Sequence, residues 1–135
     1  MTRFWLNLEQ AHGLVMFALE QMEGGEIFIP KIPSMTIGDL IEALIPDAVK
    51  TTIGLRAGEK LHEVLLTDQE SRHAVELSKY FVILPEFSFW PGAQRYGKYY
   101  KVGKKVHEGF CYQSQNNKEW LTPKSLRKLL NLKGV

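Results

Sequence analysis

Gly24-Gly25-Glu26-Ile27-Phe28-Ile29-Pro30-Lys31-Ile32-Pro33-Ser34 packs a helix stop, a strand and an extended loop into eleven residues. Paired glycines tolerate the left-handed backbone that ends a helix. Glu26-Ile27-Phe28-Ile29 then reads as a short strand, closed by Pro30, which has no N–H for a ladder. Residues that precede a proline are pushed out of the helical region, so Pro30 to Ser34 is an extended loop.

Working outward, Leu8, Ala11, Val15, Ala18, Leu19 and Met22 recur at helical spacing and predict an amphipathic helix before the glycines. Downstream, Thr36 and Asp39 resemble a capping box, with Ile37, Leu40, Ile41 and Leu44 as the apolar stripe and Pro46 as the stop. Thr51 to Leu55 is rich in β-formers and predicts a second strand that ends at Arg56. His73 to Leu84 predicts extended structure with a turn near Ser78. From Glu86 to Glu119 periodicity is poor, which suggests a loop-rich arm. Thr122-Pro123 starts a last helix, with Leu126, Leu129 and Leu130 as its buried face and Gly134 past its end. Short helices and strands mix without the β-α-β-α series of a complete doubly wound nucleotide-binding domain. The fold class is α+β, and the chain reads as an accessory lobe.

The 135 residues suit one modest domain with a real core, and 44% hydrophobic with 24% charged residues is ordinary for a soluble protein. The longest apolar run, Leu14 to Leu19, is far short of the roughly 20 residues a membrane span needs. With no basic-then-apolar leader, the expected location is cytoplasmic, without a membrane partner. The single cysteine, Cys111, excludes an internal disulfide and fits a reducing compartment. Between Phe110 and Tyr112 it reads as a small buried apolar residue.

The net charge of +2 conceals a split within this one domain. Residues 1–92 hold 7 Lys/Arg against 13 Asp/Glu, and residues 93–135 hold 10 against 2. The basic arm interleaves Arg95, Tyr96, Lys98, Tyr99, Tyr100, Lys101, Lys104 and Lys105. With no nucleic-acid motif to support it, this pattern is read as a segment that packs on the acidic remainder or on a partner subunit.

No glycine loop of the dinucleotide or ATP type occurs, and no serine sits in a nucleophile elbow. His12, His62, His73 and His107 have no metal-cluster spacing, and His62-Glu63 lacks a second histidine four residues on. Tyr100 and Lys104 have the Y-x-x-x-K spacing of a dehydrogenase acid/base pair. Gly103 and the surrounding Gly/Tyr/Lys composition argue against the helix that pair requires, so the match is taken as chance. Gly54-Leu55-Arg56-Ala57-Gly58-Glu59-Lys60-Leu61-His62-Glu63 carries more chemistry. Arg56 offers a planar fork for phosphate oxygens, glycine lets the backbone turn close to a ligand, and Glu59 can accept from a ribose hydroxyl. The same spacing also suits a surface turn with a local ion pair. Arg3 carries the same two readings: an anion contact or a charge beside aromatics.

Four words resemble one family in order and over nearly the whole chain: Met1-Thr2-Arg3-Phe4-Trp5, Gly24 to Met35, Arg56 to Glu63, and Asn116-Asn117-Lys118-Glu119-Trp120-Leu121. The family is the inverting UDP-N-acetylglucosamine 4,6-dehydratases and related polysaccharide-biosynthesis proteins, within the extended short-chain dehydrogenase/reductases. The resemblance implies the C-terminal substrate-binding lobe without the Rossmann domain, with residues 1–92 as the UDP-sugar-binding lobe. It implies that Arg3 and Arg56 contact the diphosphate and Glu59 the ribose. Ala57 stands where the family usually has proline. NADP and the catalytic residues belong to the Rossmann half, so no cofactor and no catalytic residue is carried over to this chain. The expectation is a nucleotide-sugar-binding lobe inactive by itself and homo-oligomeric. The alternatives are a subunit completed in trans by a separate Rossmann-domain chain, or a non-catalytic interaction protein.

Overall fold

The computed structural model describes residues 1–87 and 96–131; Arg95 and Gly134, which the sequence places in the arm and past the last helix, lie outside the described residues. The elements begin β1 (Thr2–Phe4), α1 (Leu8–Gln21), β2 (Ile27–Pro30), β3 (Ser34–Thr36), α2 (Ile37–Leu44) and β4 (Val64–Leu66). After a 3-10 turn (Glu70–His73) come β5 (Ala74–Glu76), β6 (Tyr80–Ile83), α3 (Gly97–Val102), β7 (Lys104–Lys105), β8 (Tyr112–Gln113) and α4 (Pro123–Leu129). This is mixed α and β built on small sheets, as expected. No described helix is long and apolar enough to cross a membrane.

The chain forms two compact units from interleaved stretches. The first comprises Met1–Trp5, Ile32–Val64 and Gln113–Val135. In it β1 pairs antiparallel with β3, with Arg3 opposite Met35. Its core is Met35, Ala43 and Leu126, packed by Trp5, Leu40 and Leu121. The Thr36 hydroxyl accepts from the Asp39 N–H at 2.9 Å and donates to Asp39 Oδ2 at 2.6 Å, so α2 begins where the sequence predicted. At α4 the capping box of Thr122 and Ser125 is complete and Pro123 occupies the first turn. Only Leu126 of the predicted face is buried, whereas Leu129 and Leu130 are exposed. The proline-rich loop before β3 is stapled by Asn117, whose Nδ2 donates to Ile32 O at 2.7 Å and to Ser34 Oγ at 3.0 Å.

The second unit comprises Leu6–Lys31 and Leu65–Tyr112. Its sheet runs β2-β6-β5-β7, each neighbour antiparallel, around a core of Val75, Val82, Leu84 and Tyr99. The predicted extended pair with a turn near Ser78 is β5 and β6. The helix α1 differs from expectation in two ways. Four of the six residues in its predicted inner stripe face outward, with Leu8, Val15, Leu19 and Met22 at 86%, 55%, 60% and 55% exposure. The half-buried side is Leu14 and Phe17 together with Ala11 and Ala18 of the predicted stripe, and Phe17 packs edge-on against Phe28 with ring centroids 5.7 Å apart. Nor do the glycines cap it. It ends at Gln21 with Met22 already extended, and Gly24 and Gly25, at φ 122° and 87°, shape the turn into β2. The Glu26 carboxylate holds that turn by accepting from the Glu23 and Gly24 N–H groups at 2.8 and 2.7 Å.

Two further expectations fail for physical reasons. Thr51 to Leu55 is not a strand; it is exposed, has no ladder partner among the described residues and passes through positive φ at Gly54. β-formers without an apolar face to bury have nothing to hold them in a sheet. The arm also contains regular structure, α3 and β7, where poor periodicity predicted loop. A Cβ on Gly103 would stand 2.6 Å from Leu77 Cδ2 and 2.8 Å from Glu76 O. Glycine lets α3 and β7 join tightly against β5, a packing role that periodicity does not reveal.

Candidate functional site

Segment 56–63 lies in the first unit and starts with a turn. Gly58 takes φ 83°, Glu59 N–H donates to Arg56 O at 3.0 Å, and Arg56 N–H donates to Glu59 Oε2 at 3.0 Å. The carboxylate thus closes the turn through the backbone, while the Arg56 guanidinium and its neighbours are exposed. Arg56 sits in an exposed loop rather than at the end of a strand, so its position comes from this turn and from the anchoring of residues 60–63.

That anchoring comes from β1. Arg3 Nη1 donates to Thr2 O at 2.7 Å and to Leu61 O at 3.4 Å, Nη2 donates to Lys60 O at 3.0 Å, and Nε lies 3.4 Å from Glu63 Oε1. Thr2 N–H donates to Leu61 O at 2.9 Å. Arg3 is therefore brought to residues 60–63, and Arg56 to Glu59, within one continuous segment. A guanidinium has five N–H donors in a fixed fork, so Arg3 can hold these carbonyls and still present an N–H to an anion.

Sequence reasoning missed the hydroxyl network beneath. Thr2 Oγ1 lies 2.8 Å from His62 Nδ1 and 2.7 Å from Ser114 Oγ, and Ser114 Oγ accepts from the Glu63 N–H at 2.9 Å. Thr2 and Ser114 are buried, and their separations of 60 and 112 residues leave no signal at motif spacing. The network fixes the backbone on which Arg56 and Glu59 depend. Buried hydroxyls satisfied by one another cost little and resist displacement.

Two cationic guanidinium groups, exposed turn amides and an acceptor carboxylate suit a diphosphate joined to a sugar hydroxyl. They do not suit a dinucleotide. None of the described glycines at positive φ (Gly24, Gly25, Gly54, Gly58 and Gly109) follows a strand and opens a helix, as a pyrophosphate loop must. NADP therefore has no fitting cradle among the described residues. Among the described residues, no group of three or more His, Cys, Asp and Glu could hold a metal ion. Tyr100 lies in α3, but Lys104 lies in β7 beyond an extended Gly103, so the two do not share a helical face. Cys111 is half-buried; burial and the nearby Asp68 charge push its thiol pKa up, away from the thiolate form a nucleophile or metal ligand needs. In the second unit a 560 Å3 cleft is lined by Phe17, Tyr80, Lys98 and Tyr99, and Lys98 there is already bound to Glu23 at 2.7 Å.

A family model described as "Polysaccharide biosynthesis protein" matches residues 1–85. The chain is 43% identical over 133 residues to the inverting UDP-N-acetylglucosamine 4,6-dehydratase of Campylobacter jejuni subsp. jejuni serotype O:2, covering 97% of this chain and 40% of that protein. It is 35% identical over 137 residues to a UDP-glucose 4-epimerase of Rickettsia prowazekii, covering 96% of this chain and 38% of that protein. An X-ray structure of Pen from Bacillus thuringiensis superposes with a TM-score of 0.74 at 31% identity, covering 97% of this chain and 38% of that one. The chain therefore spans about 40% of the length of the curated relatives it matches. It belongs to the polysaccharide biosynthesis protein family.

Proposed function

We propose that this chain is the nucleotide-sugar-binding, C-terminal part of a UDP-N-acetylglucosamine 4,6-dehydratase-like protein, an extended short-chain dehydrogenase/reductase. Arg56 and Arg3 take the diphosphate and Glu59 takes the ribose. The sugar is UDP-N-acetylglucosamine, and the protein works in the cytoplasm as a homo-oligomer. Dehydration, with NADP as hydride carrier, belongs to the longer protein, and the chain is inactive by itself.

The observation that carries this reading is the clamp of Arg3 on the carbonyls of Lys60 and Leu61. It joins a strand near the chain start to the Arg56–Glu59 turn, so that residues distant in sequence converge on one segment. The relatives named for UDP-sugar chemistry support the ligand class. Glu59 must exchange its bond to the Arg56 N–H for one to a ribose hydroxyl, or use its second oxygen.

Amide hydrogen exchange with and without UDP tests the location. Protection is expected across residues 56–63 and at Thr2 to Phe4. Protection confined to the second unit, or none at saturating UDP, overturns the assignment.

A further inference from the structure

We infer that the cleft formed by α1, the β5–β6 turn and α3 is a second binding site, for a small organic anion with a flat apolar ring. The cleft lies wholly within the second unit, and the assignment does not depend on the nucleotide reading of segment 56–63.

At 560 Å3 the cleft falls within the roughly 300–1,000 Å3 of small-molecule sites, which are mostly apolar with a few polar groups. Phe17 of α1 and Tyr80 of β6 stack there, with ring centroids 4.2 Å apart and planes inclined by 15°. Phe28 meets Phe17 edge-on, so the pair is held in one orientation. Leu77 and Val102 complete the apolar lining. An aromatic pair presents a rigid face, which suits a flat ring better than a flexible chain.

The surrounding bonds fix this shape without a ligand. The Tyr99 hydroxyl bonds Gln21 O at 2.7 Å and Glu26 Oε1 at 2.8 Å, and Lys98 Nζ also donates to Gln21 O, so α3 is tied to the end of α1. Leu77 N–H donates to Tyr80 O at 2.8 Å and closes the β5–β6 turn, while Lys31 N–H donates to Lys79 O at 2.9 Å and anchors it to β2. Gly103 brings α3 close against Leu77. A site already ordered in this way loses little conformational freedom when a ligand enters.

Charge decides the sign of the ligand. Lys79 and Lys98 line the cleft, and no Asp or Glu does. Lys98 answers Glu23 at 2.7 Å, and Glu76 beside the turn is held by Lys31 at 2.7 Å. Lys79, exposed in the turn, has a flexible stem that brings its ammonium to an anionic group. Lys101, Lys104 and Lys105, exposed on α3 and β7, raise the positive potential of the same basic arm. Ser78 and Gln21 add a hydroxyl and an amide for a polar oxygen. Segment 56–63 differs, since it offers guanidinium groups and turn amides but no ring.

The test is titration of the full chain with 2-naphthyl phosphate, followed by amide NMR shifts. Inorganic phosphate supplies the charge without the ring, and 2-naphthol the ring without the charge. Saturable shifts are expected at Phe17, Leu77 to Tyr80 and Lys98 to Val102, with none from inorganic phosphate. Lys79→Ala, and the use of 2-naphthol, should each weaken binding roughly fivefold. Val102→Trp, at a position 77% exposed, should fill the cleft and abolish the shifts while leaving the melting temperature near that of the wild type. No saturable shift at these residues, shifts spread over the exposed apolar surface, or equal binding by Val102→Trp overturns the proposal. Equal binding of 2-naphthol overturns it too, because the site then does not select an anion. Excess UDP should leave the naphthyl phosphate in place; displacement would make the cleft part of the nucleotide site and overturn the inference. Absence of UDP shifts over residues 56–63 counts against the nucleotide reading alone.

Discussion

At the scale of single residues, the Tyr99 hydroxyl ties the second unit together. It is 2% exposed, and its one proton serves both Gln21 O at 2.7 Å and Glu26 Oε1 at 2.8 Å. Burial, then Glu26, hold its pKa well above the ordinary 10.0. Burial pushes the Glu26 carboxyl up, but the Glu23 N–H, the Tyr99 hydroxyl and the Gly24 N–H outweigh it and bring it below 4.5. The Glu26 contribution is thus present above pH 4.5 and lost as pH falls through its depressed pKa, while the Tyr99 contribution is present below pH 10 and lost as pH rises. Thermal melts should show a plateau between, with stability falling on both sides. Tyr99→Phe should cost about 1–2 kcal/mol on that plateau, because the Gln21 carbonyl loses a donor. Equal stability of the variant would contradict the role given to the hydroxyl. The turn that joins Arg56 to Glu59 was legible in the sequence because the two lie three apart around a glycine. Thr2 and Ser114 were not, because a hydroxyl pair separated by 112 residues has no local pattern.

At the scale of elements, helix starts were the most legible. Thr36 and Thr122 cap where the sequence placed them, because a capping hydroxyl acts within three residues. Thr122→Ala should cost about 1 kcal/mol, read from chemical denaturation of the first unit. Faces were less legible: the α1 stripe has helical spacing, but spacing cannot say whether the cover lies within this chain. Strand Thr51–Leu55 was expected from composition alone and is absent because nothing there is buried. Gly103 gives an element-scale prediction with the opposite lesson. Gly103→Ala should destabilise the second unit by roughly 1–3 kcal/mol, since a methyl there meets the Glu76 carbonyl as well as two side chains. A change smaller than about 0.5 kcal/mol would mean that α3 and β7 can shift freely on β5.

At the scale of the molecule, the chain matches less than half the length of its relatives, and it carries an ordered segment suited to a nucleoside diphosphate and an uncovered apolar helix face. The proposed reading divides the labour accordingly: this part would hold the nucleotide, and the chemistry would depend on the remainder. The charge split, negative over residues 1–92 and positive beyond, was visible in composition, but which surfaces it serves was not. Lys98 meets Glu23 within the second unit, whereas Lys104 and Lys105 sit exposed on an edge strand. The central claim, that segment 56–63 grips a nucleoside diphosphate, is tested most directly by calorimetric titration of UDP into the wild-type chain and Arg56→Ala. A charge-assisted hydrogen bond is worth about 1.5–3 kcal/mol, so saturable wild-type binding weakened tens-fold or more by the substitution is the predicted result. No UDP binding by a folded wild-type chain, or equal binding by Arg56→Ala, would contradict it.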